Sequence, residues 1–319
     1  MKILFFGAGV IGTLYAALLR QGGHHVTVLA RGDRLAAIRS KGLVIKDVRT
    51  KIKVQVKVDT VERLDRDDAF DFALIAVRRD QLASAMPELI ASRQVPTLLF
   101  MLNNPAGTTE LVRVLGQERV MIGFPGAGGA RDAEVIRYAM ISQQPTMLGE
   151  LSGQKTERLN IILKAFTQSE IKCRTSSEMD AWLKCHAFFV TAICGAIYRA
   201  GGDCLQLSND RANLRLMVKG VGEGFSAVQA LGRPVTPFAL RVLFMWLPSI
   251  FAIKYWQHFF ATEMADIVFS RHARVASAEM LSVAKDCRSL LEASHVQAPA
   301  LRQLYKAIEI YDLRHRYLK

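Results

Sequence analysis

Six residues near the N-terminus, Gly7-Ala8-Gly9-Val10-Ile11-Gly12, constrain this chain more than any other stretch. They follow the apolar run Ile3-Leu4-Phe5-Phe6 and open a helical pattern. That order, strand then glycine-rich turn then helix, is the fingerprint of a dinucleotide-binding βαβ unit. Gly7 permits the tight turn, Gly9 lets the backbone approach a pyrophosphate, and Gly12 lets the helix pack closely on the strand. The free N–H groups and positive dipole end of the helix then hold the phosphates. A signal peptide is the competing reading, because an apolar stretch behind Met1-Lys2 reaches Leu19. That stretch meets Arg20-Gln21-Gly22-Gly23 rather than a small-residue cleavage site, and the two glycines end a helix. With His25–Leu29 as the next strand, residues 2–29 read as one βαβ unit, so the chain is expected to start inside its own domain.

The end of the second strand selects the dinucleotide. An acid there accepts from the ribose 2′-hydroxyl of NAD, whereas an arginine suits the 2′-phosphate of NADP. This chain has Ala30-Arg31-Gly32-Asp33-Arg34, with Arg31 as the first charged side chain past the strand. A guanidinium can grip a phosphate in a fork and stack on adenine. NADPH is therefore the expected cofactor, and Asp33 keeps NAD from being excluded.

A chain of 319 residues accommodates two domains. Its most membrane-like segment, 242–253, is bounded by Arg241 and Lys254 and interrupted by Pro248, too short to span a bilayer. Five cysteines without a CxxC pair point to reduced thiols and a cytoplasmic location, and seven scattered histidines give no metal-ligand spacing. The net charge of +13 is concentrated early: nine Lys or Arg lie between Arg31 and Lys57 against Asp33 and Asp47. Such a field would attract an anionic cofactor and a carboxylate substrate. Without interleaved aromatics or a recognised motif, nucleic acid is not an expected partner, nor is a membrane.

Strand and helix patterns alternate through the first half, with strands at 42–47, 51–58, 72–77, 97–102, 120–124, 134–141 and 146–150. They predict an α/β, Rossmann-type doubly wound parallel sheet over residues 1–170. Residues 171–319 read as an all-α domain, with helices over 176–199, 209–231, 262–294 and from Pro299 to Tyr311, and another starting near 236. The ligand is expected at the carboxyl ends of the strands, facing the second domain.

At this point the chain resembles the ketopantoate reductases (2-dehydropantoate 2-reductases) along essentially its whole length. The resemblance rests on the glycine turn, Arg31, Ala76-Val77-Arg78-Arg79-Asp80-Gln81, Leu102-Asn103-Asn104-Pro105-Ala106-Gly107, Trp182-Leu183-Lys184 and Ala278-Glu279-Met280, the last twenty residues before Pro299. It implies hydride transfer from NADPH to the ketone of an α-keto acid, giving a 2-hydroxy acid. Lys184 matches the family's catalytic lysine, and its apolar helix leaves it either to snorkel to water or to line a cavity. Glu279 matches the active-site glutamate; it would orient substrate or nicotinamide and steady the lysine. On one continuous helix, His272, Ala276 and Glu279 would share a face, and His272 is read as structural.

Asn104 matches an asparagine that contacts cofactor and substrate. Gly129 lies where the family's backbone meets the cofactor. Arg78 stands in place of a lysine, keeping charge but changing geometry. Pro105 replaces a glycine, which stiffens that turn and removes an N–H. One and two turns beyond Lys184, where relatives that reduce ketopantoate carry asparagines, stand Phe188 and Ala192. An apolar wall at that point favours a bulkier or more apolar keto acid. His186 faces away from Lys184. Residues 244–247 are read as core, with a lid or a homodimer contact as the alternative. A non-catalytic NADP(H)-binding sensor and an oxidoreductase of the 6-phosphogluconate or glycerol-3-phosphate dehydrogenase type are the competing functional readings.

Overall fold

Four continuous apolar runs build the centre of the molecule's main sheet: β1 (Lys2–Phe6), β6 (Phe72–Ile75), β7 (Leu98–Met101) and β8 (Val120–Phe124). Nearly every residue in them is buried, as expected for parallel strands covered on both faces. The structure, a computed structural model, describes residues 1–65 and 68–317. The strand order is β12-β11-β8-β7-β6-β1-β2-β5, where β2 is His25–Leu29, β5 Asp59–Val61, β11 Thr146–Gly149 and β12 Cys173–Thr175. Among the described residues of this sheet, only β11 and β8 pair antiparallel, with Leu148 opposite Gly123. β1 pairs with β2 on one side and β6 on the other, so the strand order reverses there. The glycine turn leaves β1 at that reversal, the place where open α/β sheets bind ligands.

Not all the expected strands join this sheet. β3 (Leu43–Asp47), β4 (Lys53–Val56), β9 (Ala127–Asp132) and β10 (Val135–Met140) form a second, four-stranded one in the order β4-β3-β10-β9. Helix α1 (Val10–Gln21) has an unbroken buried run, Gly12 to Ala17, which covers every helical face. It packs against β1 and β2 of the main sheet and also against β3, β9 and β10 of the small one. That double burial explains a helix apolar enough to imitate a signal sequence. α2 (Gly32–Lys41), α3 (Leu82–Ala91), α4 (Thr109–Leu115) and α5 (Glu157–Gln168) complete this α/β part.

The chain divides into two compact units, one made of Met1–Leu102 with Thr108–Met179, the other of Asn103–Gly107 with Asp180 onward. The second is helical. Its centre is α6 (Met179–Arg199), of membrane-spanning length and apolarity but with 94% of its most apolar window buried in protein. Around it lie α7 (Cys204–Asn209), α8 (Arg211–Ala230), α9 (Phe238–Arg241) with a π-helical turn over Val242–Trp246, and α10 (Ser249–Phe260). α14 (Pro299–Tyr317) lies close on α6 and α8 because small residues face it: a Cβ on Gly195 or Gly220 would come 2.7 Å from Leu304 atoms.

The single helix expected over 262–294 is broken into pieces. α11 (Glu263–Ala265) leads through a π turn (Asp266–Ser270) to α12 (Arg271–Val275), and α13 (Ser277–Ser294) starts afresh. Ala276 leaves helical geometry, at φ −114° and ψ 25°.

Candidate functional site

The glycine turn is held by contacts that only glycine permits. Gly7 has φ +113°, and a Cβ there would lie 2.7 Å from the Ala76 carbonyl oxygen. A Cβ on Gly12 would collide with the Gly7 carbonyl. Gly9 is different: φ is −74°, and nothing lies within 4 Å of where its Cβ would point. No side chain caps α1, and no acid occupies its first turn. Backbone N–H groups at Gly9, Val10 and Ile11 thus open a helix whose positive end faces open space, which fits a pyrophosphate. Gly129 has a packing reason of its own, since a Cβ there would lie 2.5 Å from the Arg137 carbonyl oxygen and 3.1 Å from Val10 Cγ1.

The arginines divide differently from the sequence expectation. Arg31 is the N-cap residue of α2, 60% exposed and ion-paired with Glu88. Arg34, one turn later, lies against the glycine turn: Nε donates to the Ala8 carbonyl at 3.2 Å and Nη2 to Thr13 Oγ1 at 2.9 Å. Burial, with the nearby Arg131 adding to it, holds the Arg34 guanidinium below its ordinary pKa. Arg78 makes a fork to Asp80, at 3.0 and 2.9 Å.

In the helical unit, the segment Asn103–Gly107 ties two charged groups together. Lys184 is buried on α6, and its Nζ donates to Asp180 Oδ1, one turn earlier. Arg233 Nε lies 3.8 Å from the other Asp180 oxygen. Gly107, at φ +90°, presents its backbone to this pair: a Cβ would sit 3.4 Å from Asp180 Oδ1 and 3.8 Å from Lys184 Nζ. At the other end of the segment, Asn103 Nδ2 donates to Glu279 Oε1 at 3.1 Å. Glu279 is buried in the first turn of α13, and His272 Nε2 lies 4.0 Å from its second oxygen. His272 reaches Glu279 across the break at Ala276, not along one helical face.

Asn104 is buried, and its Nδ2 donates to the Gly107 carbonyl at 2.6 Å, while Gly107 N donates back to the Asn104 carbonyl at 3.3 Å. Pro105 occupies the second position of that turn, where a fixed φ is favoured and no N–H is required, so the missing donor costs the turn nothing. The ammonium expected to be steadied by Glu279 is paired with Asp180 instead. Asp180 could have been found from its i, i+4 spacing to Lys184. Asn103 and Arg34 carry no comparable signal.

Phe188 and Ala192, one and two turns beyond Lys184, are fully buried. Phe188 packs on Gly224 of α8, where a Cβ would come within 2.6 Å of its own Cβ. It forms an apolar floor within the core, not an open wall. On the same helix, the His186 ring stacks on Trp182 at 5.1 Å and tilts against Phe189 at 6.2 Å. Burial lowers its pKa from the ordinary 6.5 to about 3. The unfolded chain therefore takes up this proton first. The histidine's contribution to stability is whole above pH 6.5 and declines as pH falls toward 3. His186→Phe keeps a ring in the stack and should flatten unfolding free energy against pH in that window; identical slopes in urea titrations of parent and variant would refute this.

Residues 3–153 match the family model described as ketopantoate reductase PanE/ApbA. Over these residues, just under half of the chain, it is similar to the ketopantoate reductases. Among curated relatives, an uncharacterized oxidoreductase, YkpB, of Bacillus subtilis is 25% identical over 198 residues, 61% of this chain and 64% of that protein. A 2-dehydropantoate 2-reductase of Pyrococcus horikoshii is 24% identical over 186 residues, 57% of this chain and 58% of that one. The matched part thus spans about three fifths of these relatives' length. Among solved structures, a 2-dehydropantoate 2-reductase from Geobacter metallireducens superposes with TM-score 0.77 at 17% identity, covering 97% of this chain and 99% of the other. A D-mandelate dehydrogenase in ternary complex with NADH and anilino(oxo)acetate also gives 0.77, at 14% identity and 98% coverage of both chains. These likenesses extend the ketopantoate reductase fold over the whole chain.

Proposed function

We propose that this chain is an NADPH-dependent reductase that converts the ketone of an α-keto acid into a 2-hydroxy acid. The observation that carries the reading is Lys184: an ammonium buried in an apolar helix, beside the backbone of a segment that also holds Glu279. Bound NADPH would supply the hydride. Gly7, Ala8, Gly9, Val10, Ile11 and Gly12 would hold its pyrophosphate, Arg31 and Arg34 its 2′-phosphate, and Arg78, Asn104 and Gly129 would line the rest of its path. As negative charge develops on the carbonyl oxygen, Lys184 donates a proton to it, so the C=O becomes a CH–OH. Asp180 fixes the position of the ammonium. Glu279, held by Asn103, orients the substrate.

Buried Phe188 and Ala192 leave no polar side chain at those positions on the helix beneath Lys184. That favours 2-dehydropantoate less than a related keto acid with a larger apolar substituent. The likeness to a D-mandelate dehydrogenase agrees with this choice. A non-catalytic sensor is the weaker reading, because the relatives above are named as oxidoreductases, reductases or dehydrogenases.

The test is a panel of α-keto acids, ketopantoate and phenylglyoxylate among them, followed by loss of NADPH absorbance. Turnover should be faster with the bulky apolar acid, and NADPH should bind about 10–100-fold more tightly than NADH, the worth of one or two charge-assisted hydrogen bonds. Arg34→Ala and Arg31→Ala should each shrink that preference. Equal affinity for the two cofactors in the parent would overturn the NADPH assignment, and no turnover with any acid would overturn the reductase reading.

A further inference from the structure

We infer that Arg233, just past the end of α8, grips the carboxylate of the substrate and so confines the reaction to keto acids. This assignment rests on the reading of Lys184 as proton donor. An α-keto acid carries its ketone and its carboxylate on adjacent carbons. A site that gives a proton to the one therefore needs a second cation close by for the other. Lys184 and Arg233 each face one oxygen of the Asp180 carboxylate, so the two cations stand about one carboxylate group apart. Two positive charges thus face a single negative one, and an arriving carboxylate completes the neutralisation. Gly107, which faces Asp180 and Lys184, adds no side chain over them.

The chain fixes Arg233 from both sides. α8 ends in a Schellman turn: Gly232, at φ +71°, donates to the Gln229 carbonyl at 2.9 Å, and Arg233 N donates to the Val228 carbonyl at 3.1 Å. Beyond it, the thiol of Cys185, the neighbour of Lys184 on α6, donates to the Pro234 carbonyl at 4.0 Å and accepts from Thr236 N at 3.5 Å. Val235, between them, is buried. The backbone is thus held beside α6, while the Arg233 side chain is 53% exposed. That side chain is not needed to finish α8, because the turn itself satisfies the Val228 and Gln229 carbonyls. Nor is it spent on Asp180, since 3.8 Å is beyond hydrogen-bond reach. An exposed pair at that distance contributes little to folding. Among the described residues, no group accepts a hydrogen bond from the guanidinium. Its planar fork is left to match a planar carboxylate.

Calorimetric titration of phenylglyoxylate and of its uncharged amide, phenylglyoxylamide, into the full chain with excess NADP⁺ tests this without turnover. The parent should bind the acid at least about tenfold more tightly than the amide. Arg233→Met keeps the aliphatic stem and removes the charge. It should weaken the acid about 10–100-fold, the worth of one or two charge-assisted hydrogen bonds, and leave the amide unchanged. Arg233→Lys, which keeps the charge but not the fork, should fall between the two. Melting of both variants should match the parent. In the NADPH assay, Arg233→Met should raise KM by the same factor and change kcat less than about tenfold. A parent that does not prefer the acid, or an Arg233→Met protein that keeps the preference, overturns the proposal. So does a loss that falls on acid and amide alike, which is the mark of a merely structural role. A parent that reduces keto acids while Arg233→Met keeps its preference sinks this assignment and spares the reductase reading. A parent that binds the acid through Arg233 yet never oxidises NADPH does the reverse.

Discussion

Lys184→Ala should lower kcat with the best keto acid of the panel by about 10²–10⁴, the usual worth of a positioned proton donor, while NADPH still binds. The glycine turn, Arg31, Arg34 and Arg78, proposed to hold the cofactor, belong to the other compact unit. A fluorescence titration with NADPH should therefore give the parent's affinity. The fold should tolerate the change, because Asp180 is 37% exposed and retains Arg233 at 3.8 Å. Lys184→Arg is the sharper variant. It preserves the charge and a partner for Asp180, but a guanidinium does not give up its proton near neutral pH. If proton donation is the lysine's task, arginine should rescue little of the rate; if the task is only to anchor a carboxylate, arginine should restore most of it. Turnover within about tenfold of the parent in either variant would be too fast for a lost general acid, and the proposed chemistry would fail.

How much of this was readable from the chain follows from the range of each interaction. Strands β1, β6, β7 and β8 are short continuous apolar runs, and a parallel sheet covered on both faces leaves them no alternative. The second sheet was harder because β9 reads Ala-Gly-Gly-Ala-Arg-Asp, a composition with little strand preference, which pairing with β10 imposes. The same small residues let β9 lie close to Val10, a reason invisible without the packing. The break at Ala276 went unread because alanine is a good helix former, and the local pattern argues for continuity.

At the site, the burial of Lys184 is legible from its apolar neighbours, and its pairing with Asp180 follows from helical spacing. The bond between Asn103 and Glu279 joins residues 176 apart in sequence. No local pattern encodes such a contact; only the chain's return across the helical unit does. Arg31 attracted notice by its place after β2, yet Arg34 is the one whose side chain reaches the glycine turn, because α2 carries it one helical turn onward.

Gly9→Ala and Gly12→Ala should both abolish most NADPH binding, and only one of them should cost stability. At Gly12 the new methyl group collides with the Gly7 carbonyl, so α1 must move away from β1. The better helix propensity of alanine returns about 1 kcal/mol, less than a backbone clash in a closed-packed layer costs at the upper end of the roughly 1–3 kcal/mol for overpacking. A melting temperature lower by a few degrees, about 2–4 °C per kcal/mol lost in a unit of this size, should accompany the weaker binding. At Gly9 the backbone is in a region open to any residue, and the methyl group points into empty space, so the apo protein should melt as the parent does. That space is where the pyrophosphate has to approach. Holding it away from the helix N-terminus forfeits one or two charge-assisted hydrogen bonds, about 10–100-fold in Kd. Scanning calorimetry and a cofactor titration on the same two variants separate the effects. A Gly9→Ala protein that binds NADPH as tightly as the parent would place the phosphates somewhere other than this turn. A Gly12→Ala protein as stable as the parent would mean that strand and helix do not meet as closely as the Gly7 carbonyl requires.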